Sequence, residues 1–335
     1  MIPQESYTAG PEEEDGLIFA CRLDGEGSAE TVNWEAVENW NDADGPIWIH
    51  LDRSSERVRN WLRTQSGLTK ATADALLADE TRPRIFRGKR GYAAVLRGVN
   101  FNPGAEPEEM VSLRLWSEGK RVITLRQRRL ITPRVVLHSL LETRNGPKTI
   151  SALFERLIFV LNERISPVIA SFDEKLDELE ANLSTANANE QRRQLSDIRQ
   201  EAVLMRRYLS PQREALNTLQ FDPPEWMDEA ARPHLRESAD RLTRYVEELD
   251  AARERSMIIK DDIANQLSES ANRTLYVLAI ISGVFLPLAF LTGLLGINVG
   301  GMPGVENPSA FWIFCGMIVV LLIIELIIFK RLKWL

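Results

Sequence analysis

Apolar residues change their spacing twice along this chain, and each change marks a different kind of structure. From Leu17 to about Glu142 they gather in short runs rich in β-branched and aromatic residues. These are Leu17–Leu23, Pro46–Leu51, Tyr92–Phe101, Val111–Trp116 and Arg121–Leu125, with turn residues between most of them. Such runs predict strands. Between them Ser54–Ser66 and Thr69–Asp79 predict helices, each opened by a hydroxyl residue able to cap the first free backbone N–H groups. Residues 16–145 therefore predict an α/β domain with a small sheet, behind a mobile acidic lead at residues 1–15.

From Ser151 the period becomes helical. Leu153, Leu157, Leu161, Ile165, Val168, Phe172, Leu176, Leu179 and Leu183 recur at steps of four and three. After the polar break Ser184–Asn189 the spacing resumes with Leu195, Ile198, Ala202, Met205, Leu209, Leu216 and Leu219. A third run, Leu235, Ala239, Leu242, Val246 and Leu249, follows the Pro-rich turn Phe221–Pro224. Sustained spacing of this kind with charged flanks predicts long helices packed in coiled-coil fashion over residues 146–273. The leucines serve that packing. Pro167 is expected to kink the first helix.

The second change comes at residue 274. Leu275–Leu295 has no charge over 21 residues, about 31 Å of helix at the usual rise. Phe311–Phe329 holds one charge, Glu325, in 19 residues, about 28 Å. Both lengths suit a hydrocarbon core of roughly 30 Å. Residues 274–295 and 311–329 thus predict two transmembrane helices joined by a short loop, 296–310, which carries no Lys or Arg. Arg273 precedes the first span, and the basic tail 330–335, KRLKWL, follows the second. The excess of basic residues on the inner side places both termini, and the α/β domain, in the cytoplasm. Tyr276, Phe311, Trp312 and Trp334 stand near the span ends, where interfacial aromatics belong.

Composition hides this split. The mean hydropathy of −0.20 suits a soluble protein, yet residues 1–273 hold 38 basic and 46 acidic residues, a net of −8, and the rest is nearly uncharged. That excludes a soluble enzyme, and no nucleic-acid partner is expected. Cys21 and Cys315 stand far apart, and His50, His138 and His234 have no His or Cys neighbour at metal-ligand spacing, so a closed tetrahedral zinc site within one chain is not expected. Neither GxGxxG nor GxxxxGK[ST] occurs, which removes an ATP-driven machine. The N-terminal MIPQESYTAGPEEED lacks the basic and apolar regions of a secretory signal.

Candidate chemistry begins at Gly296-Ile297-Asn298, where the first span ends. A long helical acidic region, two C-terminal spans and a GxN at this point resemble the CorA-type divalent-metal transporters. PIWIHLD in the early strand and VLRGVNF at Val95–Phe101 extend the likeness over nearly the whole chain. Magnesium members usually carry Met in the middle of the tripeptide. Ile297 there, GGMPG at Gly300–Gly304 and the KRLKWL ending look like the zinc-transporting ZntB branch. The resemblance implies transport rather than catalysis, a homopentamer in the bacterial inner membrane, and no permanently bound cofactor. It implies Zn²⁺ as cargo, with Mg²⁺, Co²⁺, Cd²⁺ and Ni²⁺ as further candidates and protons able to assist.

The residues themselves allow a pore. One two-span hairpin encloses no hole, so conduction needs several copies. Gly296 permits close backbone approach, and Asn298 offers a neutral amide oxygen; a ring of these would bind a hydrated dication without trapping it. Alternatively the pair forms a tight loop at a membrane surface. Glu306 would raise the local cation concentration, or is a solvated loop acid. Steps of three and four back from Gly296 give the stripe Gly293, Ala289, Leu286, Ser282, Ala279, Leu275 and Asn272. This is either a pore lining, with Leu286 and Leu275 as dewetting constrictions, or a helix–helix contact face. The same face continues through Ser268, Asn265, Asp261, Ile258 and Glu254. Asp261 and Glu254 are then acidic funnel rings or simply a solvated face. Glu325, near the cytoplasmic end of the second span, is a functional candidate as an intramembrane acid, but its proximity to Lys330 favours simple snorkelling. A membrane-anchored coiled-coil sensor or scaffold is the rival of a different class.

Overall fold

The computed structural model describes residues 15–79, 82–182, 187–297, 304 and 307–332. Asn298, Glu306, Leu183, Trp334 and the acidic lead before Asp15 lie outside the described residues. The chain divides into two compact units, Met1–Lys260 and Asp261–Leu335.

The first unit is built on a mixed sheet of β1 (Leu17–Leu23), β2 (Ala29–Val32), β3 (Ile47–Asp52), β4 (Arg84–Arg87), β5 (Tyr92–Gly98), β6 (Val111–Ser117) and β7 (Arg121–Arg126). Their order is β2-β1-β3-β7-β6-β5-β4. The sheet is larger than the small one expected, because β2 and β4 extend its two edges. Only β3 and β7 run parallel among these pairs, with Ile49 opposite Ile123 and Leu51 opposite Leu125. β1, β3, β5, β6 and β7 are buried along almost their whole length, which is why they read as continuous apolar runs.

Helices α1 (Trp34–Glu38), α2 (Glu56–Thr64) and α3 (Lys70–Leu77) share a core with the sheet through Trp34, Trp61, Leu62, Ala73 and Leu76. Thr69 caps α3 as expected from the sequence, whereas α2 is capped by Ser55, one residue beyond the Ser54 that opened the expected helix. Ser55 Oγ accepts the Val58 N–H at 3.4 Å and Thr69 Oγ1 accepts the Thr72 N–H at 3.2 Å. Further on come α4 (Ile131–Leu141) and α5 (Ile150–Glu163). Gly98 ends β5 where α5 comes close: a Cβ there would lie 2.5 Å from Leu161 Cδ1, so any side chain would have to displace Leu161.

Pro167 does more than kink a helix. α5 stops at Glu163 and α6 (Ser166–Ala181) starts afresh with the proline in its first turn, where the missing N–H costs nothing. α7 (Ala188–Phe221) carries Pro211 in its interior, and α8 (Arg232–Leu295) runs for 64 residues. Within the first unit these helices are tied by ion pairs. Lys175 of α6 meets Glu201 of α7 at 2.7 Å, and Arg206 of α7 meets Asp250 of α8 at 2.7 Å. Arg255 of α8 bonds Asp177 and Glu180 of α6, each at 2.6 Å. The two carboxylates hold the Arg255 guanidinium above its ordinary pKa. Exposed pairs of this sort fix register more than they stabilise.

The second unit consists of α8 from Asp261 onward and α9 (Ala310–Arg331). Both helices are long and apolar enough to cross a membrane.

Candidate functional site in the membrane hairpin

The apolar part of α8 has two unlike sides. Ile280, Gly283, Val284, Pro287, Leu288 and Leu291 are half-buried, and they recur at the three-and-four spacing of one helix face. Gly283 marks the approach of α9: a Cβ there would lie 2.9 Å from Phe329 Cζ, so the glycine makes room for the ring. The matching face of α9 comprises Phe314, Cys315, Ile318, Leu321, Leu322, Glu325 and Phe329, all half-buried or buried.

The stripe picked out in the sequence falls on the other side of α8. Asn272, Leu275, Ala279, Ser282, Leu286, Ala289 and Gly293 are all exposed, Leu286 the most open of the large ones at 73%. Among the described residues the hairpin therefore leaves this face uncovered. Asp261 is exposed in the second unit, as are Ser268 and Asn265; Ile258 and Glu254 are exposed on α8 in the first. At the far end of α8 the Gly296 N–H donates to the Gly293 carbonyl at 3.2 Å. A Cβ on Gly296 would sit 2.9 Å from the Thr292 carbonyl oxygen, so this tight final turn requires glycine. Thr292 Oγ1 donates to the carbonyls of Leu288 and Ala289 at 3.1 and 3.0 Å, so its hydroxyl is spent on the helix. Ile297 is exposed. The tripeptide is thus seen as far as its second residue.

Glu325 corrects an expectation. It makes no hydrogen bond or ion pair among the described residues, with Lys330 or any other, and its Oε2 is buried. The reason is angular: Glu325 follows Ile318 and Leu321 at helical spacing and so shares their inward face. That spacing was legible in the sequence and would have placed it.

Within the first unit, candidate metal ligands are withdrawn from such use. Burial pushes the Cys21 thiol up to about 12, which removes the thiolate that binds metal. His50 is buried, with Nδ1 2.8 Å from Thr124 Oγ1. Burial first, then the charges of Arg126 and Arg134, hold it well below the ordinary histidine pKa. Among the described residues no group of three or more His, Cys, Asp or Glu side chains could hold a metal ion.

With this geometry in hand, comparison with known proteins is direct. Residues 43–331 match the protein-family model described as CorA-like Mg²⁺ transporter protein. The chain is 38% identical over 335 residues to the divalent cation transporter CmaX of Pseudomonas aeruginosa, covering 99% of this chain and 100% of that one. It is 32% identical over 331 residues to the zinc transport protein ZntB of Pectobacterium carotovorum, covering 99% and 100%. The solved structure of full-length CmaX superposes with a TM-score of 0.83 at 37% identity, over 97% of this chain and all of that one. A match over most of the chain, joined to an α/β unit, a long helix and two C-terminal apolar helices, leads to one conclusion: this chain belongs to the CorA-like family of divalent metal ion transporters.

Proposed function

We propose that this protein moves divalent metal cations across a membrane, Zn²⁺ foremost, through a pore lined by α8 of several copies. The observation that carries the reading is the unpartnered stripe from Asn272 to Gly293, set on the side of α8 that α9 leaves open and ending at Gly296. A packing face within the hairpin would have been covered. Five copies arranged about an axis, as the family resemblance implies, would turn the stripe inward. Leu275 and Leu286 then narrow the path with apolar rings that exclude water when closed. Asn298 supplies amide oxygens at the outer mouth and Glu306 draws cations towards it. Glu254 and Asp261 form acidic rings on the cytoplasmic side.

Transport by this route runs on existing gradients. A dication entering a cell held at 100 mV, inside negative, gains about 4.6 kcal/mol, twice the value for one charge. Uptake is the favoured direction, and a coupled proton would add to it. Both termini lie inside, with loop 296–310 outside.

A second reading, a broader carrier of Mg²⁺ and Co²⁺, is favoured by the family description and by the generic cation named for CmaX. Flux of Zn²⁺, Mg²⁺ and Co²⁺ into proteoliposomes, with and without a pH gradient, separates the two. Asn298→Ala removes the amide ring and should abolish zinc uptake while the protein stays inserted and oligomeric. Wild-type zinc flux in that variant would strip Asn298 of its role. Absence of flux for all three ions in the wild type would leave the sensor or scaffold reading in its place.

A further inference from the structure

The first unit contains a second site of opposite electrical character. A cavity of about 630 Å³ opens between β5, β6 and α7, and six arginines line it: Arg53, Arg82, Arg97, Arg114, Arg128 and Arg207. Asp79, Glu108 and Glu109 are its carboxylates, so it keeps a net positive charge inside a soluble part whose overall balance is −8. Such a lining repels the cations this protein family transports.

How the arginines are held decides what they can do. Arg114 is 1% exposed, and its donors reach neutral oxygens only: the Leu76 carbonyl, the Asp79 carbonyl at 3.4 Å and Ser112 Oγ at 3.4 Å. Among the described residues it has no carboxylate of its own. Burial, then the neighbouring charges of Arg53 and Arg97, pull it down to about 10. Arg53, 4% exposed, has one carboxylate among the described residues, Asp79, at 3.2 Å, and that carboxylate is 90% exposed. Arg53 also bonds the Leu77 carbonyl and Gln127 Oε1, so among the described residues these two buried charges share one exposed carboxylate, Asp79, and an anion at the floor would complete their balance.

The rim supplies the grip. Arg97 donates to the Met110 carbonyl at 3.0 Å and lies over the Tyr208 ring at 4.7 Å, with Arg207 near the same ring at 5.9 Å. Arg82 and Arg207 are exposed and have no hydrogen bond or ion pair among the described residues. Guanidinium forks that are free at the rim and fixed at the floor match the oxygens of phosphate groups, which take two parallel N–H bonds each. The cavity volume lies within the range of small-ligand sites.

We infer that this cavity binds a small polyphosphate anion, either inorganic pyrophosphate or the phosphate chain of a nucleotide, between the fixed Arg53 and Arg114 and the free Arg82 and Arg207. The inference stands apart from the transport reading, since it concerns binding to the first unit and is measured without flux.

The test is calorimetric titration of the purified full-length protein with pyrophosphate, ADP, adenosine and inorganic phosphate. Pyrophosphate and ADP should bind and adenosine should not. Equal affinities mean that the phosphate chain suffices; a tenfold advantage for ADP identifies a nucleotide. Arg82→Ala with Arg207→Ala should weaken binding at least tenfold with the thermal midpoint unchanged, because neither side chain supports the fold. The corresponding double lysine variant, which keeps charge but loses the fork, should fall between. No binding of pyrophosphate at millimolar concentration, or binding unaltered in the double alanine variant, overturns the inference. So does a double alanine variant that changes the oligomer mass by light scattering without affecting pyrophosphate, since the arginines would then be receiving acids of a second copy.

Discussion

Gln212 offers the sharpest test of how the first unit is assembled. It lies on α7 and is completely buried. Its Oε1 accepts the Arg97 N–H at 2.6 Å, and its Nε2 donates to the Arg97 carbonyl at 3.1 Å and to Asn162 Oδ1 of α5 at 2.9 Å. The position explains the pattern. β4 pairs with β5 only as far as Val95, opposite Arg84. Beyond it the edge of β5 is open, and the Gln212 amide serves Arg97 as one more strand residue would. Gln212→Met keeps the volume and removes all three bonds. Losing a bond is worth about 1 kcal/mol net, and each buried group left unpaired costs about 1–3 kcal/mol, so the expected total is about 3–5 kcal/mol. For a large domain that lowers the melting temperature by roughly 6–20 °C. Thermal unfolding of the detergent-purified protein, followed by tryptophan fluorescence, reads it. A methionine variant melting within about 1 °C of wild type would refute the argument that a side chain is standing in for a strand.

The other expectations are briefer. A cysteine at Ser309 should react with an impermeant maleimide in intact cells, and one at Glu142 only after lysis; reaction of the second in intact cells would invert the topology. Leu286→Ser should hydrate the constriction and raise basal metal flux, whereas Leu288→Ser, on the half-buried side, should lower thermal stability with little gain in flux. Equal effects on flux would make the stripe a packing face. His50 is neutral in the fold, while the unfolded chain takes up a proton as pH falls below about 6.5. The wild type should therefore lose stability as pH drops from that value towards the lower folded pKa, and His50→Gln should remove that part of the slope in urea unfolding. An unchanged slope would assign the acid sensitivity elsewhere.

Much of the fold was legible because burial writes itself into sequence most strongly at the centre. β1, β3, β5, β6 and β7 are covered on both faces and appear as apolar runs. β2 and β4, at the edges, are partly exposed throughout, and sequences such as AETV and RIFR carry no such signal. The spacing of the apolar stripe on α8 was readable, and so was its separation from Leu288. Glu325 went astray because charge proximity along the chain was weighed above helical angle. The arginine cavity was illegible in principle: Arg53 and Arg82 come from loops, Arg114 from β6 and Arg207 from α7, and only the folded sheet brings them together.

The parallel pairing of β3 with β7 has a consequence for synthesis. These neighbours are separated by everything from Arg53 to Lys120, so the sheet cannot close until Arg126 has left the ribosome. From there to Leu275 the ribosome must still add about 150 residues, which takes roughly 7–30 s at the usual rate of elongation. Sheets of mixed topology fold in milliseconds to seconds once their chain is complete. The first unit thus has time to acquire a folded sheet before either apolar helix emerges, and a folded domain cannot be threaded through a translocon. The side on which residues 15–126 fold becomes the side on which they stay, a kinetic lock on orientation that does not depend on the charges of Lys330 and Arg331.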